Sequence, residues 1–334
     1  VNVLLLLAHS IEEHDQLRLL AGLGYDVFSI GGYIDPAHPH DPKRPALPDV
    51  PYHPELRMVV DGLGTPDNLR AAKERIPDDL IDWADVIICH HFEWAWLVPQ
   101  WDRIRHKRVV WRTVGQSVDT NEAAMAPLRR DGLQVIRYSP KERNIPGYIG
   151  EDALIRFYKD PAEWTGWVGG REVVLNFTQH LRQRDPYTNF GYWAEATEGL
   201  DALAAGPGSE VLGGPGEVAL PVMHELLRAC RAYVYTGTQP ASYTLGLIEA
   251  MMTGIPVVSI GPRHMTVFPY GPDLFEGHEI AGLWYDDAWL ARLKLRELMA
   301  DYDIARVHSD QQRARAIDLF GMDTVGAAWK AFLG

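Results

Sequence analysis

Short apolar runs alternate with segments of helical spacing along the chain. This is the pattern of parallel strands buried on both faces and joined by crossover helices. Residues 3–8 form the first run and predict a strand. A helix follows from about Glu12 to Gly22, with Leu17, Leu19 and Leu20 on its inner side. Gly24 closes it and residues 25–30 predict a second strand, so the chain opens on a strand–helix–strand unit of an α/β sheet. Residues 33–58 are rich in Pro, His and Asp and predict an irregular segment. Helices are expected over 67–75 and 77–84, then strands over 86–89, 108–112 and 134–138. Residues 151–167, with a short strand and then Asp160-Pro161, read as a linker.

The same alternation resumes beyond it. The pattern predicts a strand over 171–178, a helix over about 186–204, a strand over 210–212, the loop Gly213-Gly214-Pro215-Gly216 and a helix over 221–230. Residues 233–261, YVYTGTQPASYTLGLIEAMMTGIPVVSIG, predict a strand, a Gly/Pro loop and a helix running to about Thr253, with Ser242 and Thr244 as alternative N-caps. Gly254 and Pro256 stop that helix before a buried strand over 257–260. Helices over 288–300 and 304–320 follow, and a last one carries Trp329 and Phe332. The expected organisation is a doubly wound α/β domain over 1–155, a linker over 156–170, a second such domain over 171–315 and a C-terminal helical segment over 316–334. Two similar parallel sheets facing across a cleft are the architecture this implies.

A length of 334 residues supports the division, because one hydrophobic core stops growing below that size. No apolar run reaches the roughly 18 residues of a spanning helix, and the N-terminal VNVLLLLAHS reads as a first strand rather than a signal peptide. Cys89 and Cys230 each sit in an apolar segment, without disulfide-framework or metal-ligand spacing, which fits a reducing, cytoplasmic setting. A net charge of −13 disfavours nucleic acid as a partner of the whole surface, while leaving room for a local basic cleft. The first strand is not followed by GxGxxG, which argues against a dinucleotide site there. The histidines of 33–58 have no spacing that sets a metal geometry, and belong to an exposed loop.

In open parallel sheets ligands lie beyond the carboxyl ends of strands. His9 follows the first strand; His90, His91, Glu93 and Trp94 follow the strand over 86–89; Arg112 and Gln116 stand at the end of the next. Tryptophan faces suit sugars and cations, yet the same residues also serve as core filling. Arg182 and Arg184 lie beyond the first strand of the second domain, where they meet an anion or stand as ordinary surface arginines. Glu249 is the odd residue of the chain: from Leu245 to Met252 it is the one charged side chain of a helix otherwise apolar nearly all round. A buried carboxylate needs donors, which are either a nearby arginine or the hydroxyls of a ligand.

These residues carry a resemblance. Residues 225–260, and above all EAMMTGIPVV from Glu249, resemble the signature region of group 1 (GT4-like) retaining glycosyltransferases, a branch of the GT-B fold. SPKER at 139–143, the stretch 153–164 and GGPG at 213–216 are similar to its other conserved segments, and the ending AWKAFL to its last helix, which crosses back to the first domain. One departure is plain: Ala241 stands where the family has the first Glu of its E-x7-E motif. The resemblance implies a nucleotide-diphosphate sugar donor, UDP- or GDP-linked, bound by the second domain without a divalent ion or other cofactor, and a polar acceptor on the first. It implies that Glu249 accepts from the ribose hydroxyls, that Ser242, Tyr243, Thr244 and Leu245 at the helix N-terminus, with Gly214 and Gly216, cradle the donor, and that Arg182 or Arg184 neutralises the diphosphate. Catalytic contact with the donor sugar falls to His90, His91, Arg112 or Thr113, and His9, Glu93, Trp94 and Gln116 are acceptor candidates. Two rival readings remain: a glycosyltransferase acting on modified DNA bases, against which the −13 charge argues, and a silent GT-B protein that binds a nucleotide or scaffolds partners, for which Ala241 argues.

Overall fold

The first sheet has six parallel strands in the order β2-β1-β3-β4-β5-β6. These are β1 (Asn2–Leu6), β2 (Asp26–Ser29), β3 (Val86–His90), β4 (Arg108–Arg112), β5 (Gln134–Arg137) and β6 (Ala153–Leu154). The chain, a computed structural model, is described here for all residues except 7–9, 31–43, 45–46, 48–49, 51–52, 65–67, 91–93, 116–117, 265–273 and 275–283, and the side chains of Ser10, Asn68, Leu69 and Trp94. It divides into two compact units: Val1–Tyr158 with Val325–Gly334, and Lys159–Thr324.

In the first unit β3 is buried at every position and β1 at all but its first, as expected of parallel strands covered on both faces. Helices α1 (Ser10–Gly22), α2 (Pro54–Asp61), α3 (Asn68–Glu74), α4 (Asp78–Trp83), α5 (Trp94–Ile104) and α6 (Asp119–Arg130) make the connections. Leu17, Leu19 and Leu20 of α1 are fully buried. The core of this unit also takes in Val325, Trp329 and Leu333 from the far end of the chain. Arg108 fixes that end, donating to the Leu333 carbonyl (3.3 Å) and lying 4.5 Å over the Phe332 ring. Helix α2 corrects the expectation that 33–58 holds no regular element. Pro54 starts it, at a position where a preset φ helps and a missing N–H costs nothing, and Leu56 and Val60 bury its inner face.

The second unit has five parallel strands in the order β11-β10-β9-β7-β8: β7 (Arg171–Asn176), β8 (Ala202–Ala204), β9 (Cys230–Tyr235), β10 (Val257–Ile260) and β11 (Trp284–Tyr285). Helices α7 (Phe190–Ala196), α8 (Leu220–Ala229), α9 (Leu245–Thr253), α10 (Ala288–Ala300) and α11 (Tyr302–Phe320) complete it, and α12 (Met322–Leu333) ends the chain. Two expectations fail here. The helix expected over 186–204 is only α7, and its predicted tail holds β8. Thr197 ends α7 by turning its hydroxyl back to the Trp193 carbonyl (2.8 Å), and the chain then reverses at Gly199, whose φ of 72° suits a residue without Cβ. The strand expected over 210–212 is a 3₁₀ turn, Ser209–Leu212, flanked by left-handed glycines at 208 and 213. The first error comes from an alanine-rich edge strand that reads as helix by propensity and is overruled by its pairing with β7, the second from a short apolar piece that the two glycines bend into a turn.

Candidate functional site

In the second sheet β7 and β9 are neighbours although β8 separates them in sequence, so the strand order reverses between them. A ligand crevice is expected outside the carboxyl ends of that pair. Asn176, the last residue of β7, holds both strands there: its Nδ2 donates to the Val234 carbonyl (2.9 Å) and its Oδ1 accepts from the Thr178 amide (2.8 Å). The Tyr233 hydroxyl accepts from the Phe177 amide (3.1 Å), and burial pushes its pKa far up, so it stays a neutral phenol.

The loops leaving these strands are tied to one another. Asn189 takes a left-handed conformation (φ 54°), its Nδ2 donating to the Thr236 carbonyl (2.8 Å) and its Oδ1 accepting from Gln239 Nε2 (3.4 Å). The Gln239 side chain also donates to the His264 carbonyl (2.9 Å), and its amide to the Tyr187 carbonyl (2.7 Å). One glutamine therefore joins the loops after β7, β9 and β10. Arg182 and Arg184 ride on the turn so held: Arg182 is exposed and lies 5.7 Å over the Phe190 ring, and Arg184 is half-buried. Neighbouring on the β8 side, the His180 amide donates to the Pro207 carbonyl (2.7 Å) and Gln183 Nε2 to the Gly208 carbonyl (2.9 Å). Gly214 packs so closely on the end of β8 that a Cβ there would clash with the Ala204 carbonyl oxygen, and the Gly216 amide donates to the Ser209 hydroxyl (2.9 Å).

Helix α9 opens at the same edge. Thr244 is its N-cap and accepts from the Leu247 amide (3.4 Å); Ser242 and Tyr243 are buried, while Thr244 and Leu245 keep some exposure. The first turn of such a helix carries unsatisfied amides and the positive end of its dipole. One turn further in, Glu249 is buried, as its apolar surroundings predict, and its Oε1 lies 2.5 Å from Lys159 Nζ. The donor is thus a lysine rather than the arginine named as one alternative. Lys159 and Asn189, with Gln239, are the residues that sequence reasoning passed over. A lysine among Phe157, Tyr158 and Trp164, and an Asn just ahead of a helix, were the available signals.

Among the other candidates, His90 is buried at the last position of β3, opposite Arg112 in β4. Arg112 has no exposed surface. It pairs with Glu12 (3.3 Å), donates to the carbonyls of Ile155 and Arg156, and lies between the Phe157 and Trp329 rings, which makes it an interior brace of the first unit rather than a group at a ligand-facing edge. Arg137 of β5 is braced similarly by a bidentate pair with Glu122 (2.6 and 2.8 Å). His9, His91, Glu93 and Gln116 lie outside the described residues, as does the Trp94 side chain. Asp301 caps α11, accepting from the Ile304 amide (3.0 Å). Among the described residues no group of three or more His, Cys, Asp or Glu is placed to hold a metal, and no helix is long and apolar enough to cross a membrane.

No protein-family model and no curated protein matches the chain. Solved structures do match it, and they define its class: two parallel-sheet α/β domains in the GT-B fold of glycosyltransferases. Sucrose-phosphate synthase from Thermosynechococcus elongatus superposes with a TM-score of 0.71 over 99% of this chain and 98% of its own, at 15% identity. HepE from Anabaena, solved in complex with UDP and glucose, gives 0.63 over 99% of both chains at 14% identity. A glycosyltransferase from Rickettsia africae gives 0.65 at 11% identity, over 99% of this chain and 97% of its own. At such identities the likeness is one of fold.

Proposed function

We propose that the chain is a glycosyltransferase that moves a sugar from a nucleotide-diphosphate donor, a UDP- or GDP-sugar, to a polar acceptor such as a glycan or small molecule. The observation that carries this reading is the joining, at the switch point of the second sheet, of a helix N-terminus, a turn with two arginines and a buried carboxylate. The amides of α9's first turn, at Thr244 and Leu245, and the guanidinium groups of Arg182 and Arg184 offer positive charge to a diphosphate. Glu249 offers an acceptor to ribose hydroxyls. Ser242 and Tyr243, just ahead of the cap, and Gly214 and Gly216, in the loop packed on Ala204 and Ser209, are the further donor-binding candidates. The second unit is then the donor domain, and the first supplies the acceptor side. The fold shared with HepE, which was solved with UDP and glucose, supports the donor class.

Chemically, the bond from the anomeric carbon to the diphosphate breaks, a bond to the acceptor oxygen forms on the same face, and the acceptor proton passes to a diphosphate oxygen. This is the retaining, GT4-like course. Arginine and helix-terminus charge stabilises the leaving diphosphate, so transfer is expected to survive a chelator. A panel of nucleotides in a thermal-shift measurement tests the reading. UDP, GDP or their sugars at a hundred times Kd should raise Tm by roughly 5–10 °C, while NAD should not. If no nucleoside diphosphate moves Tm, the proposal is wrong. Ala241, buried in the loop before α9, favours one second reading, a silent nucleotide binder. A Tm shift by UDP or GDP with no transfer or hydrolysis of any nucleotide sugar would establish it.

A further inference from the structure

Lysine is almost never fully buried unless it is paired, and Lys159 has no exposed surface. It is the first residue of the second unit and no part of the donor cradle proposed above. Its ammonium stands 2.5 Å from Glu249 Oε1 and 5.5 Å from the Trp164 ring. Its backbone is fixed as firmly: the Lys159 amide donates to the Phe320 carbonyl (3.0 Å), and Arg313 Nη2 holds the Pro161 carbonyl (2.9 Å) and the Thr165 hydroxyl (3.0 Å). Phe320 in turn packs edge-on against Tyr243 (5.6 Å), beside the cap of α9. The lysine is therefore a rigid post with its charge set against one oxygen of the carboxylate.

We propose that Lys159 is the positioning residue for Glu249, holding the plane of its carboxylate so that a vicinal diol meets a pre-oriented acceptor. The inference rests on the reading of Glu249 as the ribose ligand. An acceptor already fixed in place loses no rotamer freedom when the diol arrives, and its hydrogen bonds count in full toward affinity. Lys159 touches no substrate in this scheme; it acts through Glu249 alone. Its effect should therefore appear in discrimination between nucleotides with and without ribose hydroxyls, which a role in folding alone does not alter.

The test compares UDP and GDP with their 2′,3′-dideoxy counterparts by calorimetry, on the wild type, Lys159→Met and Lys159→Gln. Unfolding curves without ligand establish that each variant is folded, and Lys159→Gln keeps a donor should Lys159→Met fail to fold. The wild type is expected to prefer the ribonucleotide by about 10- to 100-fold, the scale of hydrogen bonds to a charged group. Lys159→Met should shrink that preference to about threefold or less while dideoxynucleotide affinity stays within about threefold, and Lys159→Gln should recover part of it. If the wild type discriminates and both variants discriminate equally well, Lys159 is a structural residue and the inference falls. If the wild type binds the nucleotides without discrimination, the assignment of Glu249 falls and takes the inference with it. If it binds neither diphosphate, the proposed function itself is wrong.

Discussion

Lys159 and Glu249 stand 90 positions apart in sequence and share one hydrogen bond in the interior of the second unit. Removing one member of such a pair leaves the other as a buried charge without its partner, at a cost of about 3–5 kcal/mol, whereas removing both for apolar groups of similar volume is often neutral. Glu249→Ala is thus expected to lower stability by about that amount as well as to weaken nucleotide binding. The double variant Glu249→Leu/Lys159→Met should recover most of the stability and none of the binding. Urea unfolding checks the first half and titration with UDP or GDP the second; intact affinity in the double variant would leave the pair a stability device only. The singular character of Glu249 was legible in the chain, since a lone carboxylate in an apolar helix must be satisfied somewhere. The identity of its donor was not, because pairing across 90 residues is a property of the fold and not of any local pattern.

The strand–helix–strand order was read correctly for β3, β4 and β10, whose apolar runs leave no alternative, and for α9, whose start and stop are both marked by capping chemistry. It failed between 186 and 212, where short alanine-rich and glycine-rich pieces carry little periodicity and the neighbours decide. That stretch supplies the scaffold of the candidate site, since Asn189 and Gln239 knit the turn of Arg182 and Arg184 to the loop before α9. Asn189 also bears a left-handed backbone, which glycine adopts freely and alanine does not. Asn189→Gly should therefore keep the backbone and lose only the clamp, reducing nucleotide affinity and the hydrogen-exchange protection of residues 179–188 with little change in Tm. Asn189→Ala should add about 1–2 kcal/mol of instability. Unchanged protection in Asn189→Gly would show that the turn is held by other means.

Over the molecule as a whole, displaced titrations in both units bear on its alkaline limit, Tyr148 in the first and Cys230 in the second among them. Burial, then the hydrogen bond to Glu151, raises the Tyr148 phenol from 10.0 to about 12. Burial raises the Cys230 thiol from 9.0 to about 11. Both groups bind their proton more tightly in the folded chain, so their contribution is complete below the unfolded values and is lost as pH rises through the folded ones. Tm should hold level up to about pH 9 and fall between there and pH 12, and Cys230 should resist thiol reagents in the native protein at pH 8. A Tm that declines already from pH 7, or rapid labelling of the native thiol, would contradict this.

The core of the first unit contains Trp329, fully buried, and Leu333, along with residues from the opening strands. A nascent chain emerges from the ribosome in order, and until residues 325–333 have followed the second unit this one lacks a side chain whose loss from a finished core would cost about 3–5 kcal/mol. The second unit, by contrast, is one uninterrupted stretch and has all its residues in hand sooner. The first unit therefore cannot complete its core until the second has been made, and removing residues 325–333 would be felt in the sheet that Asn2–Leu6 opens.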